Sequence, residues 1–268
     1  MKRLKKLSAL PMLVLCMLLF VAWTPIAEPE RYADVQLIAP YANETVYYTS
    51  KNENSDETAG GCPQYRTVDG LENACGPVAG AEIVGFYDKY YSNLIPGWDS
   101  YYPATGKYRI PNATYTAPVI RSLYTSMRTN VDDVGVSESD CLSGLKSHIE
   151  GKGYSVNYQS VLSGSNVNFE ACKTATANNK VIILFSRATN IFTVGYGDSC
   201  DYITPINLDG LHIMVAYGWY EVNYYNANGL FRTDRYLQVS TGLGSPTPIA
   251  LYKVNPNDLN AAYIVNIA

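Results

Sequence analysis

The sequence predicts an α+β fold, and three observations lead there. Apolar residues recur with helical spacing between residues 79 and 149, whereas strand-like runs fill residues 211–267. The two patterns are segregated along the chain, while a parallel α/β sheet needs them to alternate. Apolar residues make up 47 % and charged residues 16 % of the 268, which is ample core material and too little charge for a disordered chain.

Residues 1–27 have the layout of a secretory signal. Lys2, Arg3, Lys5 and Lys6 form a basic start, residues 7–23 are apolar apart from Ser8 and Pro11, and small residues follow at Ala22 and Ala27. Cleavage is expected after Ala27, with Ala22 as the alternative position, giving a secreted or cell-surface protein with no stable membrane insertion. A retained leader, of minimal spanning length, is the alternative. Residues 28–61 are polar, with Asn-Glu-Asn-Ser-Asp-Glu-Thr at 52–58, and read as an exposed lead-in or short pro-segment. The folded domain is then 62–268.

Residues 79–91 carry Ile83, Val84, Phe86, Tyr87 and Tyr90 as a helical stripe, opened by Gly76-Pro77 with proline suited to a first helical turn. Residues 92–116, rich in Tyr, Pro, Gly and Asn, read as a surface excursion. Its Trp98, Tyr101, Tyr102 and Tyr108 are the aromatic cluster best suited to substrate contact. A second helix is expected over 117–129. A third follows Ser137, where Ser137 and Asp140 form a capping box, and ends at Lys152-Gly153. Residues 154–161 alternate like a strand, 169–178 form a short helix and 181–185 a buried strand. Residues 211–225 and 230–240 make a hairpin about Asn226-Ala227-Asn228-Gly229, with further strands at 248–253 and 262–267.

No acidic residue precedes Glu28, so loss of the leader's four cations takes the net charge from −4 to −8. Such a chain has no general attraction for nucleic acid or anionic lipid. Five cysteines remain after the leader: Cys62, Cys75, Cys141, Cys172 and Cys200. In an oxidising compartment an odd number leaves one thiol outside any pairing, with four in two disulfides, or else all five are buried thiols.

The chain has two histidines, His148 and His212, and no C-x-x-C pair. That leaves no basis for a metal site, since histidine-based zinc sites generally use two or three of these residues. No organic cofactor is expected either. Cys75 opens the first helix within Asn73-Ala74-Cys75-Gly76-Pro77-Val78-Ala79-Gly80-Ala81, where the helix's positive end and its unpaired N–H groups favour a thiolate. His212 opens the apolar strand Ile213-Met214-Val215-Ala216-Tyr217, which places an imidazole at a sheet end. His148 lies on a polar helix face and reads as a surface residue.

A Cys-Gly-Pro helix start followed by a histidine opening an apolar strand resembles the papain-like cysteine peptidases, and most of all their bacteriocin-processing-peptidase-like branch. The resemblance spans residues 61–245, with A-C-G-P-V-A-G-A-E-I-V-G-F-Y-D at 74–88 as its sharpest piece; residues 180–184 and 212–219 follow in order and character. Cys75 and His212 are 137 positions apart, within the roughly 130–150 of the papain type. It implies a two-lobe fold, a helical lobe around Cys75 and an antiparallel β lobe carrying His212, acting on a peptide or protein substrate. Cys75 matches the nucleophile and His212 its base. The oxyanion donor of such folds, a Gln about half a dozen positions before the cysteine, falls on Asp69 here, with Gln64 the nearest glutamine. The residue orienting the histidine falls on Ser240, with Asp234 or Asp209 as alternatives. A catalytically inactive peptide-binding protein on the same fold is the other reading.

Overall fold

Strand character runs further along the chain than its apolar pattern. A computed structural model describes residues 30–32, 36–37, 44–187, 189–243 and 249–268; the signal-like stretch 1–27, with Cys16, lies outside them. Residues 31–268 form one unit. Its first part supplies β1 (Arg31–Tyr32), β2 (Gln36–Leu37), β3 (Glu44–Tyr47) and β4 (Ser50–Glu57), then α1 (Cys75–Asp88), β5 (Tyr101–Tyr102), β6 (Lys107–Tyr108) and α2 (Ala113–Ser126). There follow β7 (Val136–Ser137), α3 (Glu138–Glu150), β8 (Val156–Ser160), β9 (Leu162–Ser163), β10 (Asn166–Val167) and α4 (Phe169–Ala177). The rest is β11 (Ile182–Ser186), β12 (Thr189–Tyr196), β13 (Cys200–Asp209), β14 (His212–Asn226), β15 (Gly229–Ser240), β16 (Ala250–Lys253) and β17 (Leu259–Ile267). The fold is mixed α+β, as expected.

Eleven strands join one antiparallel sheet in the order β2-β13-β12-β16-β15-β14-β11-β17-β8, with β3 on β13 and β4 on β14. β14 is its spine. Residues 212–216 pair with β11, residues 218–225 pair with β4, and β15 lies along the other side. Strand side chains alternate between faces, and both faces are covered. Ile183, Phe185, Ile213, Val215 and Val265 face one core with Val78, Ile83 and Phe86 of α1. Ile182, Leu184, Met214, Ala216 and Ile264 face another with Phe169, Cys172 and Ala175 of α4. Each such large side chain contributes roughly 1.5–3 kcal/mol on full burial.

The helices begin where their caps dictate. Ser137 accepts the Asp140 N–H at 3.1 Å, the first half of the expected capping box, and its hydroxyl donates to the Asp140 carboxylate at 2.8 Å in place of the second. α2 starts four residues earlier than its apolar pattern suggested, because Asn112 caps it by accepting the Thr114 N–H at 3.0 Å. The polar stretch 28–61 is a correction in part. Its strand β4 is exposed along almost its whole length, yet it is paired from Glu57↔Gly218 to Ser50↔Tyr225. Main-chain hydrogen bonds hold such a strand, so no apolar alternation marks it.

Candidate functional site

α1 begins at Cys75, which is 4 % exposed. Ala74 stands at the N-cap with no side-chain bond, and the first turn has no acidic residue, so nothing on the helix itself offsets its positive end. The helix start is packed without clearance. A Cβ on Gly76 would lie 2.7 Å from Val136 Cγ1, 3.3 Å from Ile213 Cδ1 and 3.6 Å from Cys141 Sγ. Only glycine lets α1 meet β7, β14 and α3 this closely. Cys75 is therefore one residue from a contact with the residue after His212.

His212 is the first residue of β14 and is 1 % exposed. Its Nε2 lies 2.8 Å from the main-chain oxygen of Thr241, the residue that follows β15. A carbonyl only accepts, so Nε2 carries the hydrogen and Nδ1 is the basic nitrogen of the neutral ring. The Thr241-Gly242 turn packs on α1 one helical turn beyond Cys75: a Cβ on Gly242 would come 3.0 Å from Val78 Cγ1. The two ends that bear the sulfur and the imidazole are thus brought together at two points.

The remaining expected residues fall differently. Ser240 is fully buried, but its hydroxyl goes to Glu82 Oε1 at 2.5 Å and Gln64 Oε1 at 3.1 Å rather than to His212. The orienting contact comes instead from the main chain of its neighbour. Asp234 is out of reach. It lies opposite Val222 while Val215 lies opposite Ser240, and seven residues of strand span about 23 Å. Its carboxylate is held by Arg232 at 2.6 Å, Tyr236 at 3.2 Å and Lys253 at 3.3 Å. The side chain of Asp209 lies outside the described residues.

Gln64 joins the site through Ser240, and its Nε2 lies 3.4 Å from Cys62 O. Asp69 is exposed and its main-chain oxygen accepts from Arg121 at 2.9 Å; unlike a glutamine, its side chain carries no N–H to donate to an oxyanion. It lines a cavity of about 190 Å³ with Tyr65, Arg66 and the start of α2.

Glu82 was not anticipated. It lies on α1 with no exposure, and burial pushes its carboxyl up to about 8 against the lowering pull of hydrogen bonds from Ser240 and the Tyr65 N–H. The one signal in the sequence was an acid inside the apolar run 74–88. His148 is half-buried, not a surface residue. Its Nδ1 lies 3.2 Å from Ser122 Oγ, and burial, with Lys152 nearby, pushes it down to about 4. The aromatic excursion packs on itself and on the far part of α1: Trp98 stacks on Tyr115, and Tyr108 on Phe86. Phe86 is eleven residues along the helix from Cys75, about 16 Å.

Cys62, Cys75, Cys141, Cys172 and Cys200 are buried thiols, and burial pushes Cys62 and Cys141 well above the ordinary thiol range. Among the described residues no group of three or more His, Cys, Asp or Glu is placed to hold a metal, and no helix is long and apolar enough to cross a membrane. No protein-family model, curated protein or solved structure matches this chain.

Proposed function

We propose that the protein is an exported cysteine peptidase of the papain-like type, cleaving peptide or isopeptide bonds with Cys75 as nucleophile and His212 as base and acid. The observation that carries this reading is the contact between His212 Nε2 and Thr241 O beside the start of α1. It leaves Nδ1 as the proton acceptor of a histidine packed next to a helix that begins with cysteine. In this reading α1, α2 and α3, packed on one face of the sheet, make the helical lobe, and the strands about β14 and β15 make the β lobe.

In this mechanism the Cys75 thiol gives its proton to His212 Nδ1, and the thiolate adds to the substrate carbonyl carbon. The oxyanion takes hydrogen bonds from the Cys75 N–H and from Gln64 Nε2. Collapse breaks the C–N bond, the amine leaves with the proton from His212, and a thioester remains. Water then gives a proton to His212, attacks the thioester and releases the carboxylic acid, and the proton returns to sulfur. A main-chain carbonyl orients the imidazole but adds no negative charge to stabilise the imidazolium. That neutral partner is what favours the second reading, a peptide-binding protein without turnover.

Alkylation by iodoacetamide across pH, with peptide mapping, tests the reading on the folded protein. Cys75 should label selectively near about pH 6, below the ordinary thiol range, and His212→Ala should abolish that selectivity. Slow labelling spread over several cysteines, or labelling indifferent to His212, would sink it.

A further inference from the structure

We propose that Glu82 is a positioning residue of this site, a buried carboxyl that ties the segment bearing Gln64 and the turn bearing the His212 acceptor to the helix bearing Cys75. The inference rests on the reading of Cys75 and His212 as nucleophile and base. Glu82 follows Cys75 by seven positions, two helical turns, and so stands on nearly the same side of α1. A buried carboxyl is costly to keep unless it is hydrogen-bonded. This one takes two bonds at a single oxygen: Oε1 accepts the Tyr65 N–H at 3.0 Å and lies 2.5 Å from Ser240 Oγ. Its Oε2 is buried without a hydrogen-bond partner.

The two bonded residues are the immediate neighbours of the two groups that matter. Tyr65 follows Gln64, and Thr241, whose carbonyl oxygen lies 2.8 Å from His212 Nε2, follows Ser240. Ser240 Oγ also lies 3.1 Å from Gln64 Oε1. A hydroxyl has one proton, so Ser240 donates to only one of these two acceptors at a time. With Glu82 protonated the conflict disappears: the carboxyl donates to Ser240, and Ser240 donates to Gln64 Oε1. Burial pushes Glu82 towards that protonated form at neutral pH. The chain of hydrogen bonds then fixes the Gln64 amide with its oxygen inward and its Nε2 outward, one N–H towards Cys62 O and the other left to meet an oxyanion. The same carboxyl anchors the strand end from which Thr241 reaches His212.

The test is the pH profile of Cys75 alkylation by iodoacetamide in Glu82→Leu and Glu82→Gln, beside wild type. Leucine fills the space and removes both bonds, so Cys75 labelling near about pH 6 should fall roughly tenfold or more, with the profile moving to that of an unassisted thiol. Glutamine, with its amide oxygen in the place of Oε1, still accepts from the Tyr65 N–H and the Ser240 hydroxyl, so both ties remain and labelling should be rescued to within about threefold of wild type. A folded Glu82→Leu protein with the wild-type profile would overturn the proposal, as would equal loss in both variants. If Glu82→Leu does not fold, Ser240→Ala carries the same test, because it cuts the path and leaves the carboxyl. A wild-type protein lacking His212-dependent labelling overturns the peptidase reading, and this inference with it. A wild type that passes beside an indifferent Glu82→Leu overturns the positioning role alone.

Discussion

His212 Nε2 lies 2.8 Å from the main-chain oxygen of Thr241, and no side-chain substitution at 241 deletes that acceptor. An orienting contact made by main chain is set by the path of the strand end, here the Ser240–Gly242 segment packed on α1. The arrangement explains how a main-chain acceptor defines one imidazole tautomer.

That tautomer is a direct prediction. Nitrogen NMR of histidine-labelled protein should show the neutral His212 ring protonated at Nε2 and bare at Nδ1. The opposite tautomer would remove Nδ1 as the acceptor of the Cys75 proton.

Two buried groups make stability depend on pH with opposite signs. Glu82 sits at about 8 when folded, against about 4.3 for an unfolded glutamate. The folded chain therefore holds the extra proton between those values. The stability this lends is complete below about pH 4.3 and is lost as pH rises to about 8, by up to ~1.4 kcal/mol per pH unit. His148 sits at about 4, against about 6.5 unfolded, so its contribution is complete above about pH 6.5 and is lost as pH falls to about 4. Urea midpoints across pH should flatten on the alkaline side in Glu82→Gln and on the acid side in His148→Asn. Unchanged curves would show that neither group titrates on unfolding.

Lys51 and Asp201 form a buried ionic centre far from Cys75. The Asp201 carboxylate has no exposed side-chain surface and takes Lys51 Nζ at 2.8 Å with the hydroxyls of Tyr48 and Tyr224 at 3.1 and 3.0 Å. Lys51→Met leaves that carboxylate buried without its cation and should destabilise by about 3 kcal/mol. Cys75 labelling of the folded variant should match wild type. Calorimetry and the alkylation assay check both halves.

Gly144 in α3 should not tolerate alanine. A Cβ there would lie 2.6 Å from Met127 Cα and 2.6 Å from Met127 N. Alanine gains about 1 kcal/mol of helix propensity, but overpacking against main chain costs typically 1–3 kcal/mol or more. Gly144→Ala should therefore unfold at a lower denaturant concentration, and a higher midpoint would show that α2 and α3 can separate freely.

Helices and apolar strands were legible because their periodicity reflects burial. α3 begins at Ser137 as its capping box requires, and the hairpin at Asn226–Gly229 turns where its sequence says. β3, β4, β12 and β13 were not read, since paired strands with polar or exposed faces carry little period-two signal: Tyr47, Tyr196 and Tyr202 stand out in solvent. Within the site, Cys75 and His212 stood out through scarcity and local context. Ser240 was chosen for its place in the strand, and the acceptor is one residue later because the contact is main chain. Glu82 was hidden among apolar neighbours because its partners, Tyr65 and Ser240, lie 17 and 158 positions away.

The polar face of β4 has a bearing on the order in which the protein assembles. Lys51 meets Asp201 150 positions later, and Thr49 meets Tyr225 after 176. Made first, these strands gain their partners only when β13 and β14 have emerged, which gives the sheet high contact order and slow closure. An unpaired apolar strand waiting that long invites pairing with other chains. Ser-Lys-Asn-Glu-Asn-Ser-Asp-Glu invites none, so the composition that hid β4 in the sequence also protects it in the interval before its docking place exists.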